Sequence, residues 1–277
     1  MKYANLHLHS NHSDAAFTPK QLCLIGKSLG YYALALTDHE TDSGVAEMMA
    51  YAEKLTGLEI ISGVEFYGNH YGANLHLTAL DYDMDEPGIR AFIKERVDIE
   101  CEKTRKTLEY GRSIGVIDGV TWDDVVKYNP DGAWLCINSV YNAYQTLKLE
   151  APANMRDAVW KSDYARSLEL PRPTAEQVIK TVRKAGGVIA LAHPYQQTQY
   201  IPELVEYGLN GVEVSHPHNG DNTCSLAIEM AKAYNLYRCG GTDHTGPMSA
   251  CGGRNAVRAF DGITEEEFVT LKERRLG

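Results

Sequence analysis

The chain has no paired cysteines, no long apolar run and no basic stripe, and each absence removes a class of protein. Its six cysteines (Cys23, Cys101, Cys136, Cys224, Cys239 and Cys251) are scattered through 277 residues without one CxxC pair. At this length, such spacing argues against a disulfide framework and against a cysteine-built zinc site. No apolar stretch approaches the ~20 residues of a membrane span. The amino terminus also lacks the basic region and apolar segment of a secretory signal, so a cytoplasmic location is expected. Lys and Arg number 27 against 37 Asp and Glu, a formal net charge of −10. Binding a phosphate polymer relies on cationic side chains displacing counterions, so no long nucleic-acid partner and no membrane partner are expected. Internal repeats and low-complexity segments are absent too.

Hydrophobic residues make up 44% of the chain, enough for one barrel-sized core. At the amino terminus, Tyr3 to Leu8 reads as a short strand followed by His9-Ser10-Asn11-His12-Ser13-Asp14. Side chains alternate along a strand, so His7 and His9 project to one side as a natural metal-binding pair. Asp14 sits in the following loop, where it can fold back over them. Further ligand-type residues recur where apolar runs stop or alternate. Tyr32 to Thr37 stops at Asp38-His39, and Glu59 to Val64 at Glu65. Asn74 to Leu80 alternates and carries His76. Gly187 to Ala192 stops at His193, Gly211 to Ser215 at His216-Pro217-His218, and Tyr237 to Thr242 at Asp243-His244. In parallel α/β barrels the active site lies at the carboxyl ends of the strands, and scattered histidines would not fall there so consistently. This pattern predicts a metal centre. So many imidazoles with Asp and Glu suit zinc, manganese or iron; all-oxygen magnesium or calcium sites would not need them.

The intervening segments fit the same plan. Thr18-Pro19 starts a helix, Asp42 or Ser43 can cap the next, and the β-α-β-α-β opening favours parallel strands with helices outside. From Pro87-Gly88 the chain turns mostly helical, about Arg90 to Ser113 and then in shorter pieces to Ser167. Pro171-Arg172-Pro173 and a Thr174/Gln177 capping box return it to β-α alternation. The expected fold is α/β: a distorted parallel (β/α)7-type, TIM-like barrel from residues 1–80 and 172–277. Residues 81–171 would form an inserted, mostly helical cap, or else serve only as packing or an oligomer contact.

His7-Leu8-His9-Ser10 with Ser13-Asp14, Thr37-Asp38-His39, Gly63-Val64-Glu65, His76, Ala192-His193-Pro194 and Gly241-Thr242-Asp243 together resemble the PHP (polymerase and histidinol phosphatase) family of metal-dependent phosphoesterases. The match runs in order from about residue 3 to 245 and is weakest over residues 81–171. The resemblance implies two or three divalent ions (Mn, Zn or Fe). His7, His9, Glu65 and Asp243 would bind one, with Glu65 bridging to a second held by His76 and His193. Asp14 and His39 would complete a third. Asp14 and Asp38 could instead cap turns or orient a histidine.

Paired ions would acidify a shared water for in-line attack on phosphorus, with Glu65 bridging them. His216, His218 and His244 are candidates for the acid that protonates the leaving oxygen, or for phosphate contact. Arg254 could fork onto a second phosphate or a carboxylate. Two departures from the family pattern matter. The family's final Asp-x-His motif is here Asp243-His244-Thr245, so either His244 ligates from a rearranged loop or one ion is held more weakly. The Arg-x-His phosphate motif of the branch acting on nucleotide 3′,5′-bisphosphates and short RNA has no counterpart in Ala133 to Ser139, nor does Tyr195-Gln196-Gln197 supply an arginine. Asn138 and Ser139, with Tyr141 and Tyr144, suggest a pocket that reads hydroxyls or a smaller head group. The expected activity is hydrolysis of a small phosphate monoester, of a sugar or a nucleotide. Its rivals are a cyclic sugar or nucleotide phosphodiesterase, an amide hydrolase, and a degenerate PHP module that binds a ligand without turning it over.

Overall fold

A computed structural model describes residues 3–168, 170–217, 219–245 and 262–276. Two sheets organise the chain. The first, in the order β3-β2-β1-β9, comprises β1 (Tyr3–Leu8), β2 (Ala33–Leu36), β3 (Glu59–Ile61) and β9 (Ile263–Thr264). The second, in the order β4-β5-β6-β7-β8, comprises β4 (Gly63–His70), β5 (Ala73–Leu80), β6 (Val188–Leu191), β7 (Gly211–Ser215) and β8 (Tyr237–Gly240). Helices α1 (Pro19–Ser28) and α2 (Val45–Ala52) alternate with the first three strands. After β5 come α3 (Pro87–Ser113), α4 (Trp122–Lys127), α5 (Ile137–Thr146) and α6 (Asp163–Ser167). The helices α7 (Ala175–Lys184), α8 (Ile201–Tyr207), α9 (Asp221–Ala233) and α10 (Glu265–Glu273) lie between and after the later strands. None of the described helices is long and apolar enough to cross a membrane.

The strands are not all parallel, as the sequence had led us to expect. β1–β2, β2–β3, β6–β7 and β7–β8 pair in parallel, but β4–β5, β5–β6 and β1–β9 are antiparallel. The run Glu59 to Val64 is broken at Ser62, and its second half opens a long hairpin. Tyr71 and Gly72, both at positive φ (50° and 85°), make its two-residue turn, the backbone that matches the twist of paired antiparallel strands. Asn69 Oδ1 accepts from Gly72 N at 3.2 Å to hold it. Glycine is required at the break, because a Cβ on Gly63 would stand 2.5 Å from the Leu36 carbonyl oxygen.

Among the described residues the sheets do not close into one. Ala4, Leu6, Ala35 and Ile61 of the first pack with Leu80, Val188, Ala190 and Cys239 of the second, and at one end isolated backbone pairs join the two. Glu40 N and Glu65 N donate to Glu65 O and Asp38 O at 2.9 and 3.2 Å. Asp243 N and His9 N donate to His7 O and His244 O at 2.9 and 3.1 Å. Those junctions bring the residues that follow β1, β2 and β8 against the face of β4 and β5.

Helix boundaries follow local signals closely. Thr18/Gln21, Thr174/Gln177 and Thr264/Glu267 all form capping boxes. The start of α2 differs: Gly44 occupies the cap position without a side-chain bond. Asp42 is engaged elsewhere, its carboxylate taking Arg90 of α3 at 2.8 Å and the Tyr82 hydroxyl at 3.0 Å. Apolar faces of α7, α8 and α9 pack on the second sheet, and α1 and α2 on the first. Leu108, Val125, Val140, Tyr144, Met155 and Val159 build a separate hydrophobic cluster within the segment after β5.

One buried ion network ties that segment to the sheets. Arg96 of α3 donates to Glu40 Oε2 at 2.9 Å, to Glu100 Oε1 at 3.2 Å and to the Pro171 carbonyl at 2.7 Å. Arg96 is 2% exposed and Glu40 0%. Removing one partner leaves a buried charge uncompensated, which costs far more than the pair contributes. Arg96→Ala is therefore expected to lower unfolding stability by about 3–5 kcal/mol. Urea unfolding of the variant beside the parent checks this, and a loss under about 1 kcal/mol would place the network at a surface-like value.

Candidate metal centre

Alternation along β1 sends Leu6 and Leu8 into apolar clusters and turns His7 to the opposite face, with His9 following on the same side. Their ring centroids are 5.2 Å apart. The end of β8 is held against this strand by Asn5, whose Nδ2 donates to Thr242 Oγ1 at 2.9 Å and whose Oδ1 accepts from Thr242 N at 3.1 Å. Gly241 permits the approach, since a Cβ there would lie 2.4 Å from His7 N. Asp243, next but one, thereby reaches the histidines.

Glu65 stands at the middle. Its Oε1 lies 3.0 Å from His76 Nδ1, 3.2 Å from His193 Nε2 and 3.4 Å from His7 Nε2. Its Oε2 lies 3.1 Å from His39 Nδ1 and 3.4 Å from His9 Nε2. Asp243 adds a second carboxylate, with Oδ1 at 3.0 Å from His9 Nε2 and 3.6 Å from His7 Nε2, and Oδ2 at 3.3 Å from His216 Nε2. His193 and Asp243 both hold positive φ, 28° and 47°, conformations that persist only where surrounding contacts impose them.

The donor set fits divalent cations. His7, His9 and Asp243 form one group, His9, His39 and Glu65 a second, and Glu65, His76 and His193 a third; in each, one ligand atom per residue lies within 4.8 Å of the others. His7 Nε2, both ring nitrogens of His9, His39 Nδ1 and Glu65 Oε2 are buried and make no hydrogen bond. Buried polar atoms are nearly always hydrogen-bonded, so a cluster of them aimed at shared points is the signature of a cation site. Imidazole and carboxylate together suit zinc, manganese and iron.

Electrostatics agree. Burial opposes ionisation of Glu65, but the positive fields of His7, His76 and His39 outweigh it and hold the carboxyl well below its usual range. Asp243 is depressed in the same way by His7, His216 and His9. Burial likewise disfavours a charged His7, yet Glu213, Glu65 and Asp243 raise it well above an ordinary imidazole. His9 is raised to about 9 against burial by Asp243, Asp14 and Glu65. His39, buried and near the charges of His9 and His76, falls to about 3 and offers a neutral lone pair.

The other expected residues are placed differently. Asp14 Oδ1 lies 3.8 Å from His9 Nδ1, at the edge of the cluster. Asp38 accepts from Ser10 N, Ser10 Oγ and Ser13 Oγ at 2.6, 2.6 and 2.5 Å, which makes it the organiser of the loop that carries Asp14. His216 is buried beside Asp243. His244 belongs to none of the three groups; its ring stacks on Phe17 at 5.2 Å. Asn138 donates to the Asp14 carbonyl and, with Ser139, lines a cavity of about 700 Å³ between α5 and the residue 11–18 loop. No described member of the three groups lines that cavity. His218 and Arg254 lie outside the described residues.

Three neighbours of the centre escaped the sequence reading. Glu213, mid-strand in β7, has Oε1 at 3.1 Å from His7 Nδ1, and burial of its carboxyl is outweighed by His7 and His216, which lower its pKa. Tyr67 stacks on His39 at 5.0 Å, and Trp134 stands edge-on to the same ring at 5.2 Å. A lone carboxylate inside the apolar run Gly211 to Val214 was the available signal for Glu213. Nothing local marked the two aromatics.

A family model described as PHP domain matches residues 5–146. The chain is 28% identical to a 3′,5′-nucleoside bisphosphate phosphatase of Chromobacterium violaceum, over 94% of this chain and 93% of the relative. It is 25% identical to a phosphoribosyl 1,2-cyclic phosphate 1,2-diphosphodiesterase of Eggerthella lenta, covering 87% and 94%. It is 26% identical to a 5′-3′ exoribonuclease of Haemophilus influenzae, covering 87% and 89%. Among solved structures, a candidate metal-dependent phosphoesterase from Bifidobacterium adolescentis superposes with a TM-score of 0.81 at 22% identity, covering 100% of this chain and 97% of that one; at that identity the likeness speaks to the fold.

Since His7 and His9 hold protons at neutral pH in the metal-free chain and must give them up to ligate, cation and proton compete. Titrating the metal-free protein with Mn²⁺ at pH 7 is expected to release roughly one to two protons per chain. Affinity is expected to rise with pH through about 9, the His9 value. A pH-stat titration measures both, and uptake without proton release would contradict the assignment of these two rings.

Proposed function

Given that the chain belongs to the PHP domain family and is a metal-dependent phosphoesterase, a hydrolase of phosphoric ester bonds, we propose that its substrate is a small phosphorylated metabolite, a sugar or nucleotide phosphate monoester. The carrying observation is the single buried carboxylate of Glu65 within 3.4 Å of five imidazoles. The three ligand groups would hold two or three divalent ions, with Glu65 shared between two groups, His9 between two, and Asp14 beside the second. Ions bound there supply positive charge to the phosphoryl oxygens and acidify water at neutral pH.

The chain's own side chains do the remainder. We assign to His216, its Nε2 3.3 Å from Asp243, the role of carrying a proton at the edge of the centre to a leaving oxygen. His218 and His244 remain alternatives for that role, and Arg254 for a distal anion. In our reading the two sheets are an opened, distorted barrel formed by residues 1–80 and 172–277, and residues 81–171 are a cap on its mouth. The Trp134–His12, Cys136–Ser13 and Asn138–Asp14 bonds support this, because each joins that segment to the loop after β1.

Beside the ligand groups this segment presents the uncharged Trp134, against the His39 ring, while Asn138 and Ser139, also uncharged, line the separate cavity by the residue 11–18 loop. An uncharged leaving group is thus favoured over a second phosphate, and the net charge of −10 weighs against a long nucleic acid. The exoribonuclease relative speaks for the opposite preference. A cyclic phosphodiester is the second reading, supported by the activity of the Eggerthella relative.

Phosphate release by the manganese-reconstituted chain from sugar, nucleotide and cyclic phosphates, and from short RNA, tests the assignment. Release from a monoester, reduced on the order of a hundredfold or more in His193→Asn, is the expected result. Preference for a cyclic diester or for RNA replaces the substrate class. Undiminished turnover in His193→Asn removes the third ligand group from the mechanism.

A further inference from the structure

We propose that Glu213 is a positioning residue that couples two of the three ligand groups through one carboxylate. The proposal rests on reading those groups as metal sites. Glu213 is the third of five residues in β7 and 3% exposed. Its Oε1 faces His7 Nδ1 at 3.1 Å, and its Oε2 accepts from the backbone N–H of His193 at 2.6 Å. His7 belongs to the group with His9 and Asp243, and His193 to the group with Glu65 and His76.

Both contacts are of the kind that sets a ligand's orientation. An ionised carboxylate can only accept, so the proton it shares with His7 sits on Nδ1. That leaves the Nε2 lone pair pointing toward Glu65 and Asp243, at 3.4 and 3.6 Å. A partner on the far ring nitrogen is how proteins fix the tautomer of a metal-binding histidine. His193 is held differently, through its main chain. At φ 28° it occupies a region that a side-chain-bearing residue does not adopt unaided, and the bond from its N–H to Glu213 is a contact that holds it there.

The arrangement demands two acceptors, and this separates Glu from its nearest isostere. The amide introduced by Glu213→Gln would offer one acceptor and one donor. With the amide oxygen toward His193, the NH₂ meets His7 Nδ1, and the imidazole must carry its proton on Nε2, where a ligand lone pair is needed. With the oxygen toward His7, the NH₂ opposes the His193 N–H, and that backbone loses its anchor. Either orientation damages one group while the volume of the side chain hardly changes.

Two measurements on the full chain test this. In the zinc-loaded wild type, ¹⁵N-histidine NMR is expected to find the His7 proton on Nδ1. In Glu213→Gln, folded by circular dichroism, equilibrium dialysis is expected to show Mn²⁺ bound about 10–100-fold more weakly in at least one site. A His7 proton on Nε2 in the wild type overturns the proposal, and that reading needs no variant to fold. A folded Glu213→Gln with the wild-type Mn²⁺ stoichiometry and affinity also overturns it. A wild-type chain that takes up no Mn²⁺ sinks the metal reading itself, and the role of Glu213 with it, so the two failures are distinguishable.

Discussion

Five imidazoles within 3.4 Å of one buried carboxylate cannot satisfy one another. A carboxylate accepts along about four lone-pair directions, and protonating every ring would gather like charges in a low-dielectric space. The opposed pKa shifts of His9, raised to about 9, and His39, lowered to about 3, are what this crowding produces. Divalent cations resolve it, because one ion can satisfy several lone pairs at once. Without them, the ring nitrogens of His9 and the Nε2 of His7 lie buried with no hydrogen bond. The backbone around the centre must therefore hold these groups in place against their own electrostatics.

The fold does so by close backbone approaches rather than by side-chain packing alone. Gly63 brings β4 against the end of β2, and Gly241 brings the end of β8 against β1; at each, a Cβ would collide with main-chain atoms. Paired backbone bonds at His7/Asp243 and Asp38/Glu65 join the two sheets there. A second layer of polar groups keeps the ligand loops from relaxing. Asp38 gathers the loop after β1, Asn5 clamps Thr242, and Arg96 fixes Glu40 next to His39. His7, Glu65 and His76 thus stand on β1, β4 and β5 themselves, and His9, His39, His193 and Asp243 follow closely on strand ends, positions in which side chains keep their geometry well.

Much of this was legible in the sequence because it is local. A period of two places His7 and His9 together, and His39, His193 and Asp243 each end an apolar run, as strand-end residues should. Thr18 before Pro19 and the Thr174/Gln177 capping box announce their helices. What was not legible depends on pairing. The apolar run from Glu59 reads the same whether it continues as one parallel strand or breaks at Ser62 into a hairpin. The hairpin turn at Tyr71-Gly72 also lacks an Asn or Asp to advertise it. Expecting parallel pairing throughout followed from the β-α alternation of the first sixty residues, which holds there, fails at the β4–β5 and β5–β6 pairings and resumes from β6 to β8. Glu213, Tyr67 and Trp134 were missed for a related reason: their partners are distant in sequence, with 206 residues separating His7 from Glu213.

The acidity of the chain and its family membership fit together through the same centre. A phosphoesterase must meet the charge of its substrate, and a chain with 27 basic against 37 acidic residues has few cations to spare for it. Metal ions held by these residues would supply that charge at the reacting group, where it changes most on the way to the transition state, and would leave the surrounding walls free to be neutral. The wall next to His39 is of that kind, with Tyr67 stacked on the ring and Trp134 set against its edge. The guanidinium of Arg172 lies over Tyr67 at 5.1 Å and bonds to Asn74, engaged with the protein itself. On the proposed reading, affinity would come chiefly from the phosphate on the ions, and discrimination from uncharged groups that recognise shape and hydrogen-bonding pattern. Such a division permits one scaffold to serve several phosphate esters, since exchanging the neutral residues alters the leaving group accepted without disturbing the ligands. The relatives, whose activities span a bisphosphate phosphatase, a cyclic diesterase and an exoribonuclease, are the diversity that this division would generate.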